Sequence, residues 1–110
     1  MPDPAYKRVL LKLSGQALEP SRGVGIDFKT IGLFCDEIAE AHALGVELGL
    51  VVGGGNIYRG AQGVAQGPDR PTGDYMGMLA MVINALAIQA MLENKGVTTR
   101  VMTAIEMRGV

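Results

Sequence analysis

With 110 residues the chain is long enough for one small domain, and its composition of 48% hydrophobic and 19% charged residues excludes an intrinsically disordered chain. Ten basic and eleven acidic residues give a net charge of −1, and tryptophan is absent. Without a basic stripe or many aromatic side chains, the chain is not expected to bind a nucleic-acid polymer.

The first predicted element is a strand over Arg8–Leu13, preceded by a loose leader at residues 1–6. Lys12 is the one charge within its apolar run, and Ser14 and Gly15 follow at its end. Such a lysine is either an edge residue reaching for water or a functional group aimed at the carboxyl end of the strand. Its closeness to that end, before Ser-Gly, favours the functional group. A glycine-bearing loop then extends to Gly25.

The second predicted element is a helix over residues 28–44, with Asp27 as its N-cap and Gly45 just after its end. His42, the only histidine, suits the helix dipole in the last turn, and no acid–base partner is identifiable for it. The single cysteine is expected to be a buried free thiol in a reducing compartment. The apolar residues of one helix face recur at spacings of three and four: Ile31, Phe34, Cys35, Ile38 and Ala41.

A second strand leads into three successive glycines at residues 53–55. Its apolar, β-branched run lacks alternation, which predicts a parallel strand covered on both faces. Because glycine weakens regular structure, packing does not explain three in a row. They would leave backbone N–H groups open to a ligand at the carboxyl end of the strand. A tight turn that needs glycine for geometry alone is the alternative, but the glycines together with Arg59 favour a phosphate site.

Two familiar glycine motifs are excluded. A Walker A loop would need Lys and Ser or Thr after its last glycine, where Ala61 and Gln62 follow Gly60. The dinucleotide fingerprint would need glycine at the position of Tyr58. The predicted phosphate site must therefore have another arrangement.

After a polar loop at residues 61–71, a long helix is predicted over residues 72–95, closed by Gly96. Its apolar residues cover more than one face, so a protein partner is expected for the outer face. Asn84 and Gln89 interrupt its longest apolar stretch, which favours a buried helix over a membrane span. A third strand is predicted over residues 97–103. The β-α-β-α-β order implies a parallel, right-handed, doubly covered sheet, but a thin one with unpaired edges, typical of a chain cut off part-way.

Three stretches at these spacings resemble the bacterial UMP kinases of the amino acid kinase superfamily. They are Lys12-Leu-Ser-Gly15, Gly53-Gly-Gly-Asn-Ile-Tyr-Arg-Gly60 and Gly73-Asp-Tyr-Met-Gly-Met-Leu-Ala80. The first is typical of the superfamily, and the other two together are specific to the UMP branch. The resemblance implies an α/β fold of three layers, α/β/α, with a mainly parallel sheet. Family members are about twice this length, so residues 1–110 would be the N-terminal, UMP- and phosphate-binding part of a single domain, without the C-terminal ATP-binding half.

The resemblance also implies an activity and roles for residues. The family transfers the γ-phosphoryl group of ATP to UMP with Mg²⁺, giving UDP and ADP for pyrimidine nucleotide biosynthesis in the cytoplasm. Lys12 and Arg59 would be catalytic, and Gly54 and Asp74 would bind UMP, Asp74 by accepting from the ribose hydroxyls. From the residues alone, Asp74 could equally be an acid that favours a helix start. The ATP phosphates would be bound by Lys12, Leu13, Ser14, Gly15, Gly55 and Arg59, with no metal ligand assigned.

Effector binding and assembly are implied by the same resemblance. A GTP or UTP effector site would involve Pro20, Ser21, Arg22, Gly23, Val24, Gly25 and Arg100. Gln89 and Glu93 stand where GTP-activated relatives carry basic residues, which weakens the case for GTP activation. The helix over residues 72–95 would supply the subunit contacts of a homo-oligomer, a hexamer in the family.

Two other functions stay open at this stage. One is a kinase of the same fold with a carboxylate or carbamate acceptor, against which Asp74 argues because it would repel an anion. The other is a non-catalytic phosphate-binding or assembly half-module, for which 110 residues would be the whole product.

Overall fold

The computed structural model describes residues 5–18, 25–57 and 69–103. Strand β1 spans Arg8–Leu13 and is followed by a short 3₁₀ helix, Gly15–Leu18. Helix α1 spans Phe28–Ala43, strand β2 spans Glu47–Val52 and helix α2 spans Arg70–Asn94. The α/β class and the order of these four main elements are as predicted, whereas the 3₁₀ helix was not foreseen.

The two strands pair in parallel, with Arg8 opposite Glu47 and Leu13 opposite Val52. The ion pair between Arg8 Nε and Glu47 Oε2, at 2.9 Å, closes the amino end of the ladder. At the carboxyl end the backbone N–H of Gly53 donates to the carbonyl oxygen of Leu13 at 2.8 Å. The loops that follow β1 and β2 therefore begin side by side.

One face of this sheet and both helices enclose a single apolar core. The α1 side contributes the fully buried Ile31 and Cys35, and burial raises the pKa of the Cys35 thiol. The predicted free, buried cysteine is thus confirmed. The remaining buried core residues come from β1, the 3₁₀ helix, both α-helices and the segment after α2: Leu13, Leu18, Ile38, Ala87, Ile88, Leu92 and Val97. Partly buried residues of β2, namely Leu48, Leu50 and Val52, pack against them.

The other sheet face is exposed in the described part of the chain. Along β2 burial alternates, with Leu50 half-buried and Val51 50% exposed, and on β1 Leu10 is 72% exposed. The expectation that β2 would be buried on both faces was therefore wrong for the described residues. The apolar run of β2 has apolar side chains on both faces of the strand, but only the face with Leu48, Leu50 and Val52 packs against the helices.

The helix boundaries follow from their caps. Asp27 accepts a hydrogen bond from the backbone N–H of Lys29, and Gly45 follows α1 with a φ of 90°. Both were predicted from the sequence. Helix α2 begins two residues earlier than expected because Asp69 caps it, and hydrogen bonds from Thr72 lower the pKa of that carboxyl group.

The predicted third strand over residues 97–103 was wrong, since these residues form no ladder. The N–H of Val97 donates to Leu92, and both the N–H and the hydroxyl of Thr99 donate to Glu93 Oε1, at 3.1 and 3.2 Å. The segment is thus bonded back onto the end of α2. A groove of about 830 Å³ lies between it, α2 and the free edge of β2.

By length and composition alone, α2 could cross a membrane, a test that core helices of soluble proteins also pass. Its packing favours the core reading made from the sequence, since Ala80, Ile88 and Leu92 are buried and Asn84 is fully enclosed. Its outer side keeps a stripe of exposed apolar residues, as predicted: Tyr75, Met76, Leu79 and Ile83.

Candidate functional site

The loops that leave β1 and β2 touch each other backbone to backbone. A Cβ atom built on Gly15 would overlap the amide nitrogen of Gly55 and lie 2.8 Å from that of Asn56. A Cβ on Gly53 would lie 3.1 Å from the nitrogen of Gly15. At Gly15 only glycine permits this approach, and at Gly53 a side chain would be tight, so the two strand-end loops form one surface of main-chain groups at the carboxyl edge of the sheet. We call residues 53–57 the glycine turn.

Helix α2 lies against the glycine turn from the other side. A Cβ on Gly54 would lie 2.8 Å from both the Cβ of Ala80 and the nitrogen of Met81. The sequence argument that packing does not explain the glycines was therefore wrong for Gly54. None of the three has a positive φ, so close approach rather than a special backbone conformation accounts for Gly53 and Gly54.

Two buried asparagines join the glycine turn to its surroundings. Asn56 is 1% exposed and Asn84 is 0% exposed. Their side-chain amides bond to each other in both directions, at 3.2 and 2.7 Å, and Asn84 also donates to the carbonyl of Gly53 at 2.8 Å. Asn56 exchanges two further bonds with Gly25, each of 2.8 Å.

Sequence reasoning missed this pair as a structural unit. From the sequence, Asn84 indicated only that the long helix does not span a membrane, and no role was predicted for Asn56. The available signal was a lone amide side chain in the apolar middle of a long helix, because a buried polar group requires a partner. The sequence alone did not indicate which partner.

The residues predicted to bind ATP phosphates are brought together as far as they are described. Leu13 is buried in the core, Ser14 is exposed directly after β1, and Gly15 meets Gly55. Lys12 is exposed on the open sheet face, opposite Val51. The parallel pairing places the strand that carries Lys12 beside the strand that leads into the three glycines, with Lys12 two residues short of Gly53 in the ladder.

Asp74 lies on an exposed part of α2, six residues before Ala80 and therefore about 9 Å along the helix axis. Its carboxylate accepts from Arg70 Nε at 2.9 Å. Because α2 begins at Arg70, Asp74 is in the second turn and not at the helix start. This removes the alternative of an acid acting on the helix dipole at the first turn.

The predicted effector residues are only partly described. Gly25 has a φ of 100° and is bonded to Asn56, whereas Arg100 is exposed and lines the groove beside β2. None of the described residues of the glycine turn lines that groove. The other candidates, among them the second catalytic residue, lie outside the described residues: Pro20, Ser21, Arg22, Gly23, Val24 and Arg59.

The sequence of the chain matches one protein family over nearly its whole length. The model of the amino acid kinase family matches residues 7–109 of the 110. The chain belongs to the amino acid kinase family. The parallel strand pair and the helices between and after its strands thus belong to an amino acid kinase fold.

Two similar proteins in the comparison are both uridylate kinases. The chain is 54% identical over 109 residues to a uridylate kinase of Roseobacter denitrificans, covering 99% of this chain and 45% of that protein. It is 56% identical over 110 residues to a uridylate kinase of Methylococcus capsulatus, covering 100% and 46%. The chain therefore spans just under half the length of these relatives.

Solved structures agree in fold. A UMP kinase from Ureaplasma parvum matches with a TM-score of 0.82 at 35% identity, covering 92% of this chain and 44% of that one. A UMP kinase from Bacillus anthracis matches with a TM-score of 0.73 at 41% identity, covering 82% and 37%. The family likeness thus extends to the way in which these elements are arranged.

Proposed function

We propose that this chain is the acceptor-side part of a UMP kinase that transfers the γ-phosphoryl group of ATP to UMP. The observation that carries the proposal is the joint main-chain surface formed by Gly15 and the glycine turn at the carboxyl edge of the sheet. Ligands of open parallel sheets bind at this edge. The names of the related kinases support UMP as acceptor and ATP as donor.

The reaction needs positioning and charge stabilisation more than covalent help from the protein. The bond from the γ-phosphorus to the oxygen that leaves with ADP breaks, and a bond to a phosphate oxygen of UMP forms. An ionised phosphate acceptor carries no proton that a base must remove. Residues that neutralise the transferred group and hold its neighbours in line are therefore the expected machinery.

Lys12 is proposed to bridge the transferring phosphoryl group, because its strand ends beside the glycine turn and its side chain is exposed. Ser14, Gly15 and Gly55 would present main-chain groups to the phosphates, and Arg59 would add a second positive charge. The N–H of Gly53 is already committed to Leu13 and is not among these donors.

Asp74 is proposed to accept from the ribose hydroxyls of UMP, with Gly54 nearer the acceptor phosphate. In the structure Asp74 is paired with Arg70, and both side chains are more than half exposed. An exposed ion pair of this kind contributes only about 0.2–1 kcal/mol. Exchanging it for hydrogen bonds to ribose therefore costs little, and the pair does not oppose the proposed role.

Mg²⁺ in phosphoryl transfer binds largely to the phosphates of the donor nucleotide. The described residues contain no group of three His, Cys, Asp or Glu side chains that could ligate a metal. We therefore propose that Mg²⁺ is brought by ATP and assign it no ligand in the described part of the chain.

Assembly and location complete the proposal. The exposed stripe of Tyr75, Met76, Leu79 and Ile83 on α2 is proposed to be a subunit contact in a homo-oligomer, because an apolar helix face of this kind favours a protein partner. A cytoplasmic enzyme is proposed, in keeping with the buried free thiol of Cys35. We also propose that GTP or UTP regulates the enzyme by binding at residues 20–25 and Arg100.

Lys12→Ala in the complete protein tests the proposal. We expect ADP release in the presence of UMP to fall by about 10²–10³-fold, the usual loss when one charge-stabilising donor is removed. Lys7→Ala is the matched control, an exposed lysine just before the opposite end of β1. Both variants should unfold at the same urea concentration as the parent.

The acceptor is tested in the same assay with UMP, CMP, a carboxylate, carbamate and no acceptor, together with the intact mass and the mass in solution. Near-normal turnover of Lys12→Ala would overturn the role of the lysine. Turnover that ignores UMP but needs a carboxylate or carbamate would indicate a different kinase of the same fold. A mass of 110 residues without turnover would indicate a non-catalytic half-module.

A further inference from the structure

The Asn56–Asn84 pair is the buried polar feature that the proposed reaction does not yet use. Among the described residues these are the buried polar side chains, and both are almost completely enclosed. Apolar residues surround Asn84 on α2, with Val82, Ala87 and Ile88 buried nearby. Burying two amides is unfavourable unless their hydrogen-bonding groups are satisfied, so their arrangement needs a reason.

Every amide hydrogen of the pair has an acceptor. A side-chain amide offers two N–H donors. Asn84 Nδ2 donates to Gly53 O and to Asn56 Oδ1, while Asn56 Nδ2 donates to Gly25 O and to Asn84 Oδ1. A satisfied network of this kind fixes one arrangement, because any rotation of either amide breaks at least two bonds.

The pair fastens the glycine turn to α2 at a second point. Ala80 already contacts the turn at Gly54, and Asn84 lies one helical turn further along the same face. Contact with Ala80 limits how closely the turn approaches the helix. The hydrogen bonds from Asn84 to Gly53 O and Asn56 Oδ1 hold the turn at both ends of the three glycines and so fix the rotation of the turn against α2.

We propose that Asn84, acting with Asn56, is a positioning residue that holds the glycine turn in the orientation that phosphoryl transfer requires. The inference rests on the proposed function, because the turn is taken as the phosphate-binding surface. Glycine lacks side-chain contacts that could hold a turn in place, so the orientation of its N–H groups must come from neighbours. Asn84 contacts no substrate in this role and acts only through the turn.

Asn84→Leu in the complete protein is the first test. Leucine keeps the branched shape of the side chain but removes both donors and the acceptor, leaving Gly53 O, Asn56 Oδ1 and one N–H of Asn56 without their partner. We expect faster hydrogen exchange in residues 53–57 and a fall in kcat of about 10²-fold, the scale of a small misplacement of reacting groups. KM for UMP should change less than kcat, because only Gly54 of the two proposed UMP-binding residues lies in the glycine turn, and Asp74 with its part of α2 is untouched.

Leu92→Ala is the matched control. Leu92 is buried in the apolar core on the same helix, two turns beyond Asn84, and has no contact with the glycine turn among the described residues. It should lower Tm at least as much as Asn84→Leu while leaving exchange in the glycine turn and kcat at their parent values. Equal losses of kcat in the two variants at matched stability would overturn the positioning role.

Asn84→Asp is a second test of the positioning role, for use if Asn84→Leu does not fold. A neutral carboxyl group at this buried position can donate one hydrogen bond, whereas its ionised form donates none and faces Gly53 O. Burial raises the pKa of such a group. The kcat of Asn84→Asp relative to the parent should therefore rise as pH falls from about 8 to about 6. A ratio independent of pH, with kcat near the parent value, would overturn the proposal.

The two proposals fail differently. No UMP-dependent turnover in the unsubstituted complete protein would overturn the proposed function. Full kcat in Asn84→Leu, despite faster exchange of the glycine turn, would overturn only the positioning role and make the pair a purely structural contact.

Discussion

Two groups of glycines in this chain are required for different physical reasons. At the carboxyl edge of the sheet, Gly15 and Gly54 have neighbours where a Cβ atom would be. At the helix ends, Gly45 and Gly96 have no described atom within 4 Å of that position but φ values of 90° and 82°. The first group is needed for close approach, and the second for a backbone conformation that other residues rarely adopt.

The difference matters because both groups look alike in the sequence. A glycine after a helix and a glycine after a strand each mark the end of an element. Only the strand-end group brings separate parts of the chain into main-chain contact, and those contacts build the candidate site. Substitutions should therefore have graded effects, largest where backbone atoms are the obstacle.

Gly15→Ala should have the largest effect. Its Cβ would meet the main chain at Gly55 and Asn56, which cannot move aside as a flexible side chain could. We expect a loss of about 3 kcal/mol in the free energy of unfolding, the upper end for overpacking, measured by urea denaturation. UMP-dependent turnover should be lost as well, because the two loops would separate.

A matched control for Gly15→Ala is Ala17→Gly, a change of the same single methyl group in the same 3₁₀ helix at an exposed position. It should leave turnover close to that of the parent. If Gly15→Ala retained both stability and turnover, the close contact between the two strand-end loops would not be required.

Gly45→Ala should have an intermediate effect. The added methyl group meets no atom of the described residues within 4 Å, so the expected cost comes from the left-handed backbone. We expect a loss of about 1–2 kcal/mol in the free energy of unfolding, without a change in kcat. Gly45→Asn should lose less, because asparagine tolerates this conformation better. Equal losses for alanine and asparagine would contradict the backbone explanation.

Much of the fold was predictable because local signals and long-range packing agree. Asp27 and Gly45 bound α1 as their chemistry requires, and the parallel pairing of β1 and β2 follows from the helix between them. Residues 97–103 have strand-like composition but bond to the end of α2, because a ladder depends on a partner that local sequence does not specify.

The candidate site was predictable in its main-chain part and not in its side-chain support. Glycines after a strand and a lysine before Ser-Gly indicated where two loops would meet. The bond between Asn56 and Asn84 joins residues 28 positions apart, and nothing local to either residue specifies the other. The close packing of Gly54 on Ala80 likewise depends on how α2 crosses the sheet edge.

Gly77→Ala should have the smallest effect and the opposite sign. Gly77 lies inside α2 with no atom within 4 Å of its Cβ position among the described residues, and its φ is not positive. Neither reason for glycine found elsewhere in the chain applies here. Alanine should therefore raise the free energy of unfolding by about 0.5–1 kcal/mol, because glycine in a helix interior costs that much in backbone entropy.

The measurement for Gly77→Ala is urea denaturation, accompanied by the mass in solution and the turnover with UMP. Stabilisation with unchanged turnover and mass would show that this position is an ordinary helix-interior site. A loss of turnover or of the oligomer would instead mean that something contacts Gly77 in the complete protein. That result would give glycine on α2 the same role of close approach that Gly15 and Gly54 have at the sheet edge.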